Sequence, residues 1–238
     1  MRLVYVVREK KGGAVLIGNY GTGKTTLANT LLEEFSDTNN YSFVFIANPL
    51  LGPLEFLKEI ICQLGVEFSH DIDRLEVKQL LENTLLKNME ESNHVVVIID
   101  EAHLIQNKET WEELRLLLNI QFNNRFLLSV ILIGQLELSN IINEYKQFKQ
   151  RLAIRCYLNP LTEKETGGYI NYRLKVAGYD GAIFSEEATK SIFFYSKGNP
   201  REINNVCDMS LLVGYGRKTD RIGKDIVEEV IEDLERVV

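Results

Sequence analysis

The sequence is poor in the residues that mark disordered, fibrous and disulfide-stapled proteins. Only 4 prolines and 3 cysteines occur in 238 residues, and charged residues make up 26% of the chain. This composition excludes a disordered or fibrous protein and is typical of a globular one. The cysteines Cys62, Cys156 and Cys207 are far apart, in apolar surroundings. We therefore expect core thiols in a reducing compartment, without a disulfide framework or a zinc site.

Long hydrophobic runs are also missing. The longest, residues 95–99 and 126–133, have the length of strands and fall far short of the roughly 20 residues that cross a bilayer. The N-terminal segment has too short an apolar stretch for a signal peptide and no small-residue cleavage site. We therefore expect a cytoplasmic protein without a transmembrane segment.

Basic residues are in the minority. The chain has 27 Lys and Arg against 34 Asp and Glu, which gives a net charge of −7. This acidic balance argues against a general nucleic-acid coat, but it is compatible with a local basic patch. A chain of this length buries roughly 70–75% of its unfolded surface, so one or two domains can fold without metals or disulfides.

The chain does contain a repeated pattern of apolar strand, turn and amphipathic helix up to about residue 160. Strands are predicted at residues 14–18, 41–47, 94–100 and 126–133, and helices at 25–35, 54–64, 75–89 and 111–118. This order predicts an α/β fold, with a parallel sheet and helices on both faces. Beyond Pro160 the β-branched runs stop, and helices are predicted at 163–177, 185–196, 201–213 and 224–236. We expect an αβα nucleotide-binding domain over residues 1–160 and a small all-helical domain over residues 161–238.

The first chemical motif lies between a predicted strand and a predicted helix. It fits G-x-x-x-x-G-K-[ST], with the residues Gly18, Asn19, Tyr20, Gly21, Thr22, Gly23, Lys24 and Thr25. Such a turn wraps a triphosphate with backbone N–H groups, and the following helix adds its positive end. We expect Lys24 to reach the β and γ phosphates, Thr25 to ligate Mg²⁺ and Thr26 to assist at the α phosphate. The alternative, a glycine-rich turn with an incidental lysine, is disfavoured by the flanking strand and helix.

The second motif is an acidic pair at the end of a predicted strand. Asp100 and Glu101 follow the apolar residues 95–99. Asp100 is expected to bind Mg²⁺, and Glu101 to polarise an attacking water. Two carboxylates could instead simply begin a helix, favoured by its dipole. The phosphate loop upstream favours the catalytic interpretation, in which the two motifs are a Walker A and a Walker B motif.

Three candidates rest on weaker signals. Gln135 follows the fourth strand and can reach the γ phosphate or the attacking water, although a solvated loop glutamine fits equally well. Arg151 can act as an arginine finger in a neighbouring subunit. The alternative places it among basic residues of a solvated helix over residues 146–155. Arg201 opens a predicted helix, where a cation is unfavourable without an anion, so we expect it to face the phosphates.

Two other features are assigned no role in the chemistry. His103 follows the acidic pair, but no second ligand at metal spacing is nearby, so a metal site is not predicted. Trp111 lies at helical spacing from Leu114 and Leu118. That spacing predicts core packing rather than a platform for base stacking.

Together these motifs resemble AAA+ ATPases of the general secretion pathway protein A type. The resemblance also rests on Ala-Asn-Pro at 47–49, Leu-Arg-Leu-Leu-Leu-Asn at 114–119, Leu-Ile-Gly-Gln-Leu-Glu-Leu at 132–138 and Gly-Asn-Pro-Arg-Glu-Ile-Asn-Asn at 198–205. It covers nearly the whole chain. It implies an αβα nucleotide domain with a helical lid, ATP bound at the subunit interfaces of a ring, and hydrolysis that remodels or places a partner assembly.

The resemblance also implies roles for single residues. Gln135 would be the sensor-1 residue and Arg201 the sensor-2 arginine. Arg151 would be the arginine finger, with Arg155 as the alternative. Asn48, at the end of the second strand, is hypothesised to hold Glu101 away from the attacking water until a partner binds.

The sequence departs from this family at both ends. Members usually carry a segment before the first strand that helps to enclose adenine, and after the lid a membrane span and a peptidoglycan-binding domain. Here only residues 1–13 precede the first predicted strand, and the sequence stops after the lid. We therefore expect a truncated start or a pocket completed by a neighbour, and the secretion role is left open.

Three functions fit these observations. The first is an ATP-hydrolysing, oligomeric AAA+ motor or switch whose protein client no residue names. The second is a transposition-type AAA+ regulator that forms filaments on DNA, which requires a basic stripe and steep salt dependence. Candidate basic residues for it lie at 10–11, 146–155 and 217–224, inside an acidic whole. The third is a scaffold that binds nucleotide without hydrolysis, against which Glu101 argues.

Overall fold

A computed structural model describes residues 2–38 and 40–236 of the chain. The chain divides into two compact units. One unit comprises Met1–Gly18 and Lys24–Leu158, and the other comprises Asn19–Gly23 and Asn159–Val238. The five residues of the glycine-rich loop therefore group with the C-terminal helices, while the residues on either side of the loop group with the sheet.

The first unit is built on a parallel sheet of five strands in the order β2-β3-β6-β1-β7. These strands are β1 (Gly13–Gly18), β2 (Tyr41–Ile46), β3 (His94–Ile99), β6 (Leu128–Gly134) and β7 (Leu152–Leu158). A two-stranded hairpin, β4 (Gln121–Phe122) and β5 (Arg125–Phe126), precedes β6. The predicted α/β class with a parallel sheet is confirmed.

Helices follow or precede most of these strands. They are α1 (Arg2–Arg8), α2 (Lys24–Glu34), α3 (Pro53–Gln63), α4 (Arg74–Glu90), α5 (Lys108–Leu117), α6 (Glu137–Glu144) and α7 (Lys146–Lys149). The start of α4 shows why these segments are helical: Asp73 accepts the Glu76 N–H, and the Glu76 side chain accepts the Asp73 N–H. This capping box satisfies backbone donors that the first turn leaves without partners.

The core lies on both faces of the sheet, because the three central strands are buried throughout. Successive side chains of a strand point to opposite faces. Thus Val15 and Ile17 belong to one apolar cluster, while Ala14 and Leu16 belong to the other. Trp111 is 1% exposed within the first of these clusters, which confirms its predicted place in the core.

The second unit contains four helices with a core of their own. They are α8 (Glu163–Val176), α9 (Glu186–Ser196), α10 (Pro200–Gly216) and α11 (Lys224–Arg236). All four lie where the sequence predicts helices. Residues such as Ile192, Ile203 and Val227 are fully buried among them. Of the helices in the described part of the chain, none combines the length and apolar character that a membrane span requires.

Several elements were not predicted from the sequence. They are α1, the β4–β5 hairpin, α6, α7 and β7. The edge strand β7 is only partly buried and carries Arg155 at its centre, so it lacks the continuous apolar run of the inner strands. In α1 the run Leu-Val-Tyr-Val-Val has the composition of a strand, yet packing of Leu3, Val6 and Val7 stabilises a helix.

The expectation that all three cysteines are core residues is wrong. Cys62 is exposed, while Cys156 and Cys207 are only half-buried, so the three thiols are not all core residues. Burial and the neighbouring Asp208 nevertheless raise the pKa of Cys207 to about 12, so its thiol stays protonated.

Candidate nucleotide-binding site

The glycine-rich loop has the backbone conformation that its glycines allow. Gly21 and Gly23 have φ angles of +78° and +92°, in the left-handed region that favours glycine. The Thr22 hydroxyl donates a hydrogen bond to the Asn19 carbonyl oxygen at 2.7 Å, which closes the loop on itself. The loop therefore makes the sharp turn that a phosphate-wrapping segment requires.

Lys24 is the first residue of α2 and is only 5% exposed. A helix begins with unpaired N–H groups and a partial positive charge. Such a helix end favours an anionic ligand, and Lys24 lies at it directly after the glycine-rich loop.

Thr25 and Asp100 join the start of α2 to the end of β3. The Thr25 hydroxyl donates a hydrogen bond to Asp100 Oδ2 at 2.7 Å, and the Glu101 N–H donates to Asp100 Oδ1 at 2.8 Å. Asp100 is 6% exposed, so both of its oxygens are held in place. A hydroxyl and a carboxylate are the hard oxygen ligands that Mg²⁺ prefers. The two residues therefore fit a magnesium ion.

Nothing in this region suits a metal held by many side chains. No group of three or more His, Cys, Asp or Glu residues within the described ranges could hold an ion. Mg²⁺ usually binds through one or two protein oxygens together with substrate phosphates and water. The sparse set of Thr25 and Asp100 agrees with that mode.

Glu101 adopts a strained backbone conformation. Its φ and ψ are 49° and 34°, and a short 3₁₀ helix, Ala102–Leu104, begins directly after it. The left-handed region costs a residue with a side chain about 1–2 kcal/mol, and such strain is concentrated at functional sites. The Glu101 side chain is 33% exposed, so water can reach its carboxylate.

His103 connects two of the predicted catalytic residues. Its Nδ1 lies 3.4 Å from Glu101 Oε2 and 3.4 Å from the backbone nitrogen of Gln135. A neutral Nδ1 accepts the Gln135 N–H, whereas a protonated Nδ1 donates to Glu101. His103 is thus a functional candidate that the sequence reasoning missed. The available signal was its place two residues after the acidic pair.

Gly134 makes this approach of the 3₁₀ helix to β6 possible. A Cβ atom at residue 134 would lie 2.8 Å from Leu138 Cδ2 and 3.3 Å from the His103 backbone nitrogen. The end of the Leu138 side chain could shift, but the His103 nitrogen belongs to the backbone, so a larger residue at 134 would press against the 3₁₀ helix. Gln135 follows directly and is half-buried beside His103.

Asn48 and Thr26 stand apart from these contacts. The Asn48 side-chain oxygen accepts the Leu50 N–H at 3.2 Å, and no hydrogen bond joins Asn48 to Glu101 within the described residues. The proposed switch between them stays a prediction. Thr26 is exposed in the first turn of α2, so its side chain is accessible to an α phosphate.

The two candidate finger arginines lie close together in the chain but on different elements. Arg151 is exposed in the turn between α7 and β7, and Arg155 is half-buried on β7. The alternative that placed residues 146–155 on one solvated helix is therefore wrong, because helix α7 ends at Lys149. Neither arginine forms a salt bridge with any residue that the structure describes.

Within the second unit, the loop residues contact the start of α10. Asn199 Nδ2 donates to the Tyr20 carbonyl oxygen at 2.9 Å, and the Arg201 N–H donates to the Gly21 carbonyl oxygen at 3.3 Å. The Arg201 guanidinium lies 4.3 Å from the centroid of the Tyr20 ring. Sequence reasoning selected Arg201 and Tyr20 but not Asn199, which also caps α10 through the Arg201 N–H.

Gly21 is required at this contact. A Cβ atom there would lie 2.5 Å from Asn199 Oδ1. The loop backbone and the first turn of α10 approach each other so closely that only a residue without a side chain fits. The expected contact of Arg201 with phosphates stays a prediction, since in this structure its guanidinium stacks on Tyr20.

Comparison with known proteins identifies the family of the chain. A family model described as an AAA domain matches residues 7–142. General secretion pathway protein A of Aeromonas hydrophila is 32% identical over 223 residues, which are 92% of this chain and 40% of the relative. The chain therefore spans about two fifths of that relative's length. The resemblance found in the sequence is confirmed.

Solved structures share the fold at low identity. The ORC2 protein of Aeropyrum pernix, determined as ADPNP–ADP complexes, aligns with a TM-score of 0.72 and 14% identity, over 98% of this chain and 66% of that one. A Thermotoga maritima RuvB mutant aligns with a TM-score of 0.67 and 21% identity. The alignment covers 98% of this chain and 66% of the RuvB chain. At these identities the likeness concerns the fold alone.

Proposed function

The chain belongs to the AAA domain family, and on that premise we propose that it binds ATP with Mg²⁺ and hydrolyses the γ phosphate. The observation that carries the proposal is the 2.7 Å hydrogen bond from Thr25 to Asp100. It brings a residue of the phosphate loop and the acidic end of β3 to one point. These are the residues that a bound Mg²⁺ would share.

Binding is proposed to use the loop, the start of α2 and the end of β3. Backbone N–H groups of residues 19–24 surround the phosphates, and the Lys24 ammonium neutralises charge at the β and γ positions. Thr25 and Asp100 hold Mg²⁺, which supplies charge neutralisation and orientation of the phosphate oxygens. The adenine nucleotides named with the ORC2 structure support ATP as the ligand.

Hydrolysis is proposed to depend on Glu101. Its carboxylate accepts a proton from a water molecule as the water oxygen bonds to the γ phosphorus. The bond from that phosphorus to the bridging oxygen breaks, and ADP and phosphate leave. Gln135 orients the water or the γ phosphate. His103 holds the segment of Gln135 when its Nδ1 is unprotonated, and it holds Glu101 when its Nδ1 carries a proton.

Full activity is proposed to require an oligomer. Arg151, or Arg155 in its place, would stabilise the transition-state charge at the site of a neighbouring subunit. Arg151 supports this role, because it is exposed and without a salt bridge to a described residue. As the resemblance in the sequence implies, the oligomer would act as a motor or switch that remodels or places a partner assembly.

The test is an ATPase assay with Mg²⁺, at protein concentrations that permit oligomers. Glu101→Gln is expected to reduce turnover at least about 100-fold while ATP binding persists, because the amide cannot accept the proton. Glu82→Gln is the matched control, since Glu82 is exposed on α4 and forms no salt bridge with a described residue. If the wild type turns over no faster than Glu101→Gln but still binds ATP, the protein is a nucleotide-dependent scaffold.

A further inference from the structure

A cavity lies at the N-terminal ends of the inner strands, whereas the acidic pair and Gln135 lie at the C-terminal ends. It has a volume of about 500 Å³, within the range of ligand pockets. We call it the basal pocket, and its lining residues include Lys10, Asn93, His94, Phe122, Arg125 and Leu127. These residues lie at the N-terminal ends of β1, β3 and β6 or on the hairpin before β6.

The basal pocket is separate from the candidate nucleotide site. The same three strands carry the phosphate loop, the acidic pair and Gln135 at their C-terminal ends. A strand of six residues is roughly 20 Å long. A small ligand in the basal pocket therefore cannot contact Asp100, Glu101 or Gln135.

The pocket is positively charged in a protein whose net charge is −7. Lys10 and Arg125 are exposed and form no salt bridge with a residue that the structure describes. None of the lining residues is acidic. His94, which also lines the pocket, has its pKa lowered to about 4 by burial and by the charge of Lys10. The pocket therefore favours an anion over a cation.

One aromatic side chain that lines the pocket, Phe122, is not buried in the hydrophobic core. Phe122 is 46% exposed, and it pairs with Arg125 across the hairpin. The hairpin turn, Asn123 and Asn124, has φ angles of 49° and 61°, as in the tight turns that join two strands closely. The turn places Phe122 and Arg125 directly opposite each other in the hairpin, and both side chains line the pocket.

The neighbouring ring is held by packing, which fixes the base of the hairpin. A Cβ atom at Gly12 would lie 2.8 Å from the Phe126 ring, so this ring rests directly on the backbone before β1. Leu127, the next residue, is 3% exposed in the core. Packing of Phe126 and Leu127 therefore fixes the position of the hairpin that carries Phe122 and Arg125.

We propose that the basal pocket binds a nucleoside phosphate, either free or as a unit of single-stranded nucleic acid. The phosphate lies between Lys10 and Arg125, and the base packs against Phe122. Bases in single strands expose their faces, and stacking on aromatic side chains beside basic residues is how such strands are bound without sequence preference. An acidic peptide would use the two cations but would leave the exposed ring unexplained.

The test measures binding by calorimetry, with the nucleotide site filled by saturating ADP and Mg²⁺. The probes are a single-stranded DNA of about 12 nucleotides and dAMP, with the matching duplex and an oligoglutamate peptide as comparisons. The variants are Phe122→Ala and Arg125→Gln. The controls are Phe194→Ala, whose ring is 70% exposed in the other unit, and Lys164→Gln, an exposed cation without a salt bridge to a described residue.

The expected result is binding that Phe122→Ala weakens about tenfold and that neither control changes. Arg125→Gln is expected to weaken it too, and to reduce the slope of log affinity against log salt by about 0.7. If dAMP shows the same sensitivity as the strand, the pocket takes a free nucleotide. If only the strand does, the ligand is single-stranded nucleic acid. All variants change exposed side chains, and equal melting temperatures verify their folding.

Three results would overturn the proposal. The first is the absence of binding by both the strand and dAMP. The second is an equal loss of affinity in Arg125→Gln and Lys164→Gln with no effect of Phe122→Ala, which indicates unspecific attraction of charge. The third is tighter binding of the duplex or of oligoglutamate than of the single strand, which assigns the surface to another class of partner.

Discussion

The stability of the first unit is expected to depend on pH, because folding buries the imidazole of His94. The residue is 2% exposed at the start of β3, and its Nε2 lies 2.9 Å from Ser129 Oγ. Ser129 donates its single hydroxyl proton to the Lys11 carbonyl oxygen at 2.5 Å. The Ser129 oxygen must therefore accept from His94 Nε2–H, and burial favours the neutral form of the imidazole, with its proton on Nε2.

The magnitude follows from the change of pKa on folding. Burial, and secondarily the charge of Lys10, lower the pKa of His94 from 6.5 to about 4. Above pH 6.5 both states are neutral and stability is complete. As pH falls from 6.5 toward 4, the unfolded chain takes up the proton and the folded one does not. The free energy of unfolding therefore falls, by about 2 kcal/mol at pH 5 and about 3 kcal/mol in total.

The measurement compares urea unfolding of the wild type and His94→Gln at pH 7.5 and pH 5. Trp111 is the single tryptophan and is buried in the first unit, so its fluorescence reports on that unit. We expect the wild type to lose about 2 kcal/mol more than the variant between the two pH values. Carboxylates titrate in both proteins, so the comparison removes their contribution. Equal losses would refute the assignment of a neutral, buried His94.

Two further predictions concern the first unit. His103→Ala is expected to reduce the ATPase rate about tenfold with little change in ATP affinity, because it removes the group that positions Glu101 and Gln135 but no phosphate contact. Steady-state kinetics together with nucleotide titration would test this. A loss of ATP affinity without a loss of rate would contradict it. Glu113→Gln is expected to lower the free energy of unfolding by about 1–2 kcal/mol, because the carboxylate is 1% exposed and pairs with Arg74 and with Lys78 at 2.9 Å. The two basic partners are half-exposed and can be solvated, so a loss above about 4 kcal/mol in urea titrations would contradict this account.

The phosphate loop and the acidic strand end could be found in the sequence because their chemistry depends on residues that are adjacent in the chain. The spacing of Gly18, Gly23, Lys24 and Thr25 is set by one turn. The inner strands could also be predicted, since strands buried on both faces appear in the sequence as continuous apolar runs. Strand β7 could not be predicted, because an edge strand with Arg155 at its centre has no such run.

Contacts between distant parts of the chain could not be predicted. His103 and Gln135 are separated by 32 positions, and nothing in either local sequence indicates that His103 Nδ1 approaches the Gln135 N–H. Asn199 lies 179 positions from Tyr20, whose carbonyl oxygen it binds. The exposure of Cys62 was likewise misjudged, because its apolar neighbours in the chain lie on the other face of α3.

The sequence by itself determined four strands of the sheet, the long helices, the phosphate loop, the acidic pair and the membership of a nucleotide-binding fold. Local periodicity and the spacing of a few residues are sufficient for these features. Only the tertiary structure decided that Thr25 meets Asp100, that His103 lies between two catalytic candidates, and that Lys10, Phe122 and Arg125 line one cavity. The physical reason is that parallel pairing of β3, β6 and β1 aligns both ends of strands that are far apart in the chain.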